Sequence, residues 1–127
     1  MQYEVKSPIK GFENIIKVNF EIVDEMFATI RDSRDENTSF SLVNPYALRE
    51  YSFDIPLSIK VLLEINENSK LVVYNVVVIQ DPLDSSCINF LAPLVFNEDN
   101  KTVAQVVLKH SMHPDFGMAE SIKSFRK

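Results

Sequence analysis

The chain has 127 residues, 46% hydrophobic and 24% charged, which suits one folded domain with a modest core. Its formal net charge of -5 argues against affinity for bare nucleic acid, whose binders need a basic face, and favours a basic protein partner. The single cysteine, Cys87, excludes an internal disulfide and suits a reducing compartment.

The opening "MQYEVKSPIKGF" has neither the basic nor the apolar region of a signal peptide, so a cytoplasmic location is expected. Tyr3 to Ile9 reads as an edge strand, a role to which Pro8 restricts it. Gly11, one of only two glycines, is expected to hold a turn at positive φ. In "IIKVNFEIV", Ile16, Val18, Phe20 and Ile22 alternate with polar residues and predict a half-buried strand. The acidic stretch from Glu21 to Glu36, with Arg31 and Arg34 interleaved, reads as polar loop. It is either a solvated face or a charge patch for a basic partner. "SFSLV" and "YSFDI" repeat the alternation at Phe40 and Leu42 and at Tyr51, Phe53 and Ile55.

Asn44-Pro45 and Asp81-Pro82 are turn dipeptides. "DIPLSIKVLLEI" places Pro56 at a first turn, with Ile59, Leu62 and Leu63 at helical spacing, and predicts a short helix. "KLVVYNVVVIQ" is apolar on both faces, as a central strand covered on both sides would be. Its longest largely apolar run, "LVVYNVVVI", is far too short to cross a bilayer as a helix. "PLVFN" and "TVAQVVL" flank "EDNK", a connection of hairpin length. Residues 109–127 form either a helical or a flexible tail; Met118, Ile122 and Phe125 suggest an amphipathic helix from Gly117, with Lys123, Arg126 and Lys127 near its end. Many short strands and one or two short helices predict a mainly β fold: a small antiparallel β-barrel, or a barrel-like sandwich, as a single domain over 1–127.

Chemistry is sparse. His110, His113 and Asp115 form a weak metal constellation, because His-x-x-His followed by Pro114 does not line up on a helix. Cys87 has no neighbouring base in sequence to activate it, and Ser85 and Ser86 lack a strand–turn–helix elbow. The carboxylates between Glu21 and Glu36 show no pairing that would separate their pKa values. With two glycines in the chain, a phosphate-cradling loop is not expected. The reading is therefore not an enzyme.

One ordered set of residues carries a resemblance. "INFLAPLVFN" followed by a glutamine in the next strand places Asn89, Phe90, Ala92, Pro93, Asn97 and Gln105 on the Asn-Leu-x-Ala-Pro-x-x-x-Asn…Gln pattern. Upstream, Gly11, Phe12 and Glu13 match a Gly-Phe-Glu entry, and Phe40, Asn44, Pro45 and Tyr46 match an Asn-Pro-aromatic turn. "YSFDIP" matches the segment before a short helix. From about Gly11 to Leu108 the chain thus resembles the bacterial flagellar assembly factors of the FliW family. It departs from them at Val5, Lys6 and Pro8, where the family carries Phe-Pro and a further glycine. Cys87 stands where Thr is common and Phe90 where Leu is common. The segment from His110 onward matches least.

The resemblance implies a small β-rich barrel that binds newly made flagellin in the cytoplasm. It also implies binding of CsrA, a dimeric RNA-binding protein that represses flagellin translation. It implies no cofactor, no metal, no small-molecule substrate, no membrane and no direct nucleic acid contact. The residues expected to serve the signature or to touch a partner are Asn44, Pro45, Tyr46, Asn89, Ala92, Pro93, Asn97 and Gln105. Among them, Pro93 should end one pairing register, and Asn89, Asn97 and Gln105 should satisfy backbone groups at turns and barrel rims. A flagellin chaperone without a translational role is the nearest alternative. An RNA-binding small barrel would need exposed aromatics on a basic groove, whereas Phe20, Phe40 and Phe53 sit on apolar strand faces. A small hydrolase or ligand-binding barrel would need a convergent polar set that the sequence does not display.

Overall fold

The computed structural model describes residues 1–125, so Arg126 and Lys127, expected at the end of a tail helix, lie outside the described residues. Period-two alternation buries one face of each strand, and the described chain uses it repeatedly. In chain order the strands are β1 (Gln2–Val5), β2 (Lys17–Ile22), β3 (Phe27–Asp32), β4 (Ser39–Val43) and β5 (Leu71–Val78). They continue as β6 (Cys87–Ile88), β7 (Leu94–Asn97), β8 (Thr102–Gln105) and β9 (Glu120–Ser121). One short α-helix, α1 (Leu57–Leu62), and 3-10 turns at Pro45–Ala47, Leu83–Ser85 and Ile122–Phe125 complete the described elements.

Seven strands close on themselves in the order β4-β3-β2-β1-β8-β7-β5, with β5 returning to β4. The fold is the mainly β barrel with a short helix that the alternation predicts. Its interior is filled by Tyr3, Val18, Phe20, Ile30, Leu42, Tyr74, Leu94, Phe96 and Val103. Four of those rings, Tyr3, Phe20, Tyr74 and Phe96, meet edge-on or tilted at centroid separations of 4.5–6.3 Å. A fully buried side chain of this size contributes about 1.5–3 kcal/mol by leaving water. Outside the barrel, α1 and its C-cap residue lay Ile59 and Leu63 over Val95, Ala104 and Val106. That second layer explains why every residue of β7 and β8 is buried. A third cluster joins Val43, Val77, Ile88, Phe90, Phe116 and Ile122.

Several expectations need correction. The N-terminal strand is not an edge: β1 pairs antiparallel with β2 and parallel with β8, at Glu4↔Thr102 and Val5↔Val103. It ends at Val5, so Pro8 lies past the ladder and does not restrict it. The barrel therefore contains one parallel seam. The acidic stretch is not all loop, because Phe27–Asp32 forms β3 with Ala28 and Ile30 fully buried. Glu21, Asp24, Glu25, Asp35 and Glu36 remain exposed around it. Tyr51 to Ile55 alternates in burial as a strand would but joins no ladder. Ile16 and Ile22 reach past the barrel ends and are 53% and 65% exposed. In α1 Ile59 is buried and Leu62 faces out, while the buried Leu63 caps the helix.

The tail differs most. Glu120 and Ser121 pair with the free edge of β6, and Ile122–Phe125 then turns as 3-10 rather than α-helix. Ile122 is fully buried, so this segment is part of the third cluster. Arg49 fastens it. The guanidinium lies 4.9–5.6 Å from the ring centres of Phe90, Phe116 and Phe125 and pairs with Glu120 at 3.5 Å. Gly11 holds φ +88 as its turn requires.

Tyr51 anchors the segment between β4 and α1. Its hydroxyl donates to the Phe90 carbonyl and accepts from Asn75 Nδ2 at 3.3 Å. Burial lifts this phenol to about 12, against weaker opposing pulls from Asn75 and Arg49. The folded state holds the proton above the ordinary value of 10.0, so this stabilisation is complete below pH 10 and is lost as pH rises through about 12. Tyr51→Phe should lower the unfolding free energy by about 1–3 kcal/mol at neutral pH, through the stranded Phe90 carbonyl. Urea melts at pH 8 and pH 11.5 should show the wild type losing stability more steeply than the variant; parallel losses would contradict this.

Candidate functional site

The signature residues do not converge on one point. Asn44, Pro45 and Tyr46 form the corner at the end of β4. Asn44 N–H still donates to the Met26 carbonyl at 2.7 Å, continuing the β3–β4 ladder by one bond. Its side-chain Oδ1 then accepts from Tyr46 N–H at 3.0 Å, capping the 3-10 turn. Pro45, buried and fixed in φ, turns the chain away from the sheet. Tyr46 is left 55% exposed, with its phenol raised above its ordinary value by partial burial.

Asn89, Ala92 and Gln105 lie together at one mouth of the barrel. Gln105 Nε2 donates to the Ala92 carbonyl at 3.3 Å, and Gln105 Oε1 accepts from Lys10 N–H at 2.8 Å. Asn89 Oδ1 accepts from Leu91 N–H at 2.9 Å, and its carbonyl accepts from Asn75 Nδ2 at 2.9 Å. Pro93 stands just before β7, and its carbonyl accepts from Val106 N–H at 2.9 Å. A cavity of about 320 Å³ opens here, lined by Lys10, Phe12, Val76, Asn89, Ala92 and Gln105.

Asn97 sits at the opposite end of β7. Its Nδ2 donates to the Leu63 carbonyl at 2.8 Å, where Asn100 Nδ2 adds a second bond at 2.9 Å. Its Oδ1 accepts from Asp99 N–H at 3.0 Å. One buried amide thus joins the β7–β8 hairpin to the end of α1. Each signature amide satisfies a backbone group.

Another opening is a groove of about 430 Å³ beside the Asn44–Tyr46 corner, with Tyr46, Tyr51, Phe53 and Ile55 on one wall and the first half of β5 on the other. The sequence singled out Asn44 and Tyr46 but not the groove they border. The signal was the alternation of Tyr51, Phe53 and Ile55, which looks like a strand and is instead an apolar wall.

Chemistry-bearing side chains stay dispersed. His113 stacks on Phe116 with ring planes 4° apart. Cys87 Sγ donates to the Ser85 carbonyl at 3.5 Å, and Ser86 Oγ accepts from Gln80 N–H at 2.8 Å. Among the described residues no group of three or more His, Cys, Asp or Glu side chains is placed to hold a metal ion. Nor is any helix among them long and apolar enough to cross a membrane.

A family model described as FliW protein matches residues 1–120. The flagellar assembly factor FliW 1 of Wolinella succinogenes is 53% identical over 127 residues, covering 100% of this chain and 99% of that protein. The flagellar assembly factor FliW of Sulfurimonas denitrificans is 43% identical over 127 residues, covering 100% and 99%. FliW 1 of Helicobacter pylori strain J99 is 48% identical over 127 residues, covering 98% and 94%. A crystal structure of the flagellar assembly factor FliW superposes with a TM-score of 0.86 at 19% identity, covering 99% of this chain and 86% of that one, and so shares the fold.

Asn97→Ala should lower the unfolding free energy by about 1–3 kcal/mol, since the Leu63 carbonyl and Asp99 N–H lose a buried partner. Tyr46→Ala, at an exposed site, should change it by less than about 0.5 kcal/mol. Urea denaturation of both variants checks this, and equal losses would contradict it.

Proposed function

The chain belongs to the FliW family, and on that premise we propose that it is a flagellar assembly factor that works by binding proteins and catalyses no reaction. Its proposed partners are flagellin and the translational repressor CsrA, met in the cytoplasm. Held by this protein, CsrA releases the flagellin messenger; accumulating flagellin draws the protein away, and repression returns. The switch requires only competing affinities.

The observation that supports this reading is the match to the family model over residues 1–120 and to a flagellar assembly factor FliW 1 along the whole chain. A closed barrel with several surface openings suits recognition by shape. The exposed carboxylates at Glu21, Asp24, Glu25, Asp35 and Glu36 suit a basic partner and would repel a messenger lying near the bound repressor.

Co-purification with flagellin and with CsrA, at low and high salt, tests the reading. At least one partner should be retained, with CsrA retention weaker at high salt. Loss of both at either salt would overturn it.

A further inference from the structure

Three connections meet around one small apolar cavity: the β2–β3 turn, the corner that leaves the β4–β5 seam at Pro45, and the β5–β6 connection. The first is held by its own hydrogen bonds. Asp24 Oδ1 accepts from the N–H groups of Met26 and Phe27, both at 2.8 Å, and Val23 and Asp24 N–H both donate to the Phe27 carbonyl. Asn44 N–H ties the turn to the corner through the Met26 carbonyl. In the β5–β6 connection, Ser86 N–H donates to the Leu83 carbonyl at 2.9 Å and Ser86 Oγ accepts from Gln80 N–H, which leaves the Leu83 side chain exposed.

The cavity measures about 470 Å³ and is lined by Asp24, Glu25, Met26, Phe27, Ala47 and Leu83. Met26 and Phe27, both half-buried, pack against the third cluster, so the floor is backed by core. The charge around it has one sign. Its ionisable lining residues are Asp24 and Glu25, both exposed. From Val18 to Ile30, from Asn44 to Leu48 and from Ile79 to Cys87 the sequence holds Glu21, Asp24, Glu25, Asp81 and Asp84, and no lysine or arginine. Neither Glu21, Asp24 nor Glu25 is in an ion pair among the described residues. Arg49, the next cation along the chain from Ala47, is taken up by aromatic rings and by Glu120.

An apolar pit rimmed by carboxylates narrows the occupant. A nucleic acid or an anionic membrane would be repelled, and a second copy docking through the same face would set carboxylate against carboxylate. An aliphatic side chain carried on a cationic segment satisfies both the pit and its rim. We propose that this cavity is the docking site for a short basic segment of a protein partner, which seats one bulky aliphatic side chain between its lysines or arginines. The proposal deepens the partner-binding reading and rests on it, by placing one partner's contact on the barrel. The aliphatic group covers Met26, Phe27, Ala47 and Leu83, and the flanking cations meet Glu25 and the second carboxylate oxygen of Asp24. β2 and β3 are each paired along both edges, so side chains make the contact and no strand is added.

The test uses the full chain, methyl-labelled for magnetic resonance, and an acetylated Lys-Lys-Leu-Lys-Lys amide as probe. Titration should shift the methyl signals of Met26, Ala47 and Leu83. Glu25→Lys should weaken binding by about tenfold, since an attraction becomes a repulsion. Glu67→Lys, an equal charge change at an exposed site away from the cavity, should leave it within about twofold. Replacing the probe's leucine by serine should weaken it by about tenfold, as the lost burial of aliphatic area requires. No binding, shifts confined to other methyls, equal losses in the two charge variants, or equal binding of the serine probe would overturn the proposal. So would methyl shifts that grow with protein concentration in the absence of probe, which would make a second copy the occupant. If Glu25→Lys retains flagellin and CsrA as fully as the wild type does, this docking site falls alone. If the probe binds at these methyls and neither protein is retained, the family reading of partners falls and the site stands.

Discussion

The structure depends on one strand serving two ladders of unequal length. β5 holds β7 over Leu71–Tyr74 and β6 over Val77–Val78 on one edge, while β4 engages it over only Ser41–Val43 on the other. Those few pairs close the barrel. The interior aromatic cluster packs against both sides of that closure, since Leu42 and Tyr74 point into the same core. The outer layer is tied to the same place. Asn75, fully buried, donates to Tyr51 and to the Asn89 carbonyl, linking the wall segment to the barrel mouth through the strand that closes the barrel.

The polar residues of the family pattern make sense in that frame. Buried amides are costly unless hydrogen-bonded, and Asn97 and Gln105 satisfy backbone groups left open at the end of α1, in the β7–β8 hairpin and at the barrel mouth. Asn44 and Pro45 act differently: they terminate a ladder, and by doing so they create surface. Under the proposed partner-binding function, a scaffold built this way acts without a reactive group. What it offers a partner is the part of its hydrogen bonding and apolar area that closure did not use.

Much of the fold was legible because burial imposes a local period. Val18 and Phe20 in β2, Leu42 in β4 and the doubly apolar β5 follow the alternation that the sequence displays. What failed to show depends on distant partners. β1 looks like an edge until Thr102 and Val103 arrive beside it, nearly the whole chain away. β3 is hidden because Ala28 and Ile30 are its only fully buried residues, set between Thr29 and Arg31. Tyr51–Ile55 alternates, but a ladder needs a neighbour that it lacks. The tail carries a helix-like spacing, yet β6 offers Glu120 and Ser121 an edge, and Gly117 N–H is taken by the Glu120 carboxylate at 2.8 Å. The Asn-Pro corner was readable as a turn; the groove was not, because its existence depends on where β5 loses its partner.

Native-state hydrogen exchange of the free protein, read amide by amide, tests the central claim most directly. The account predicts that Asn75 and Val77 exchange only through large-scale opening, whereas Leu71 and Val73, two residues away on the same edge, exchange much faster under native conditions. Equal, slow exchange at all four amides would mean that the seam is zipped along its length, and the account would be wrong.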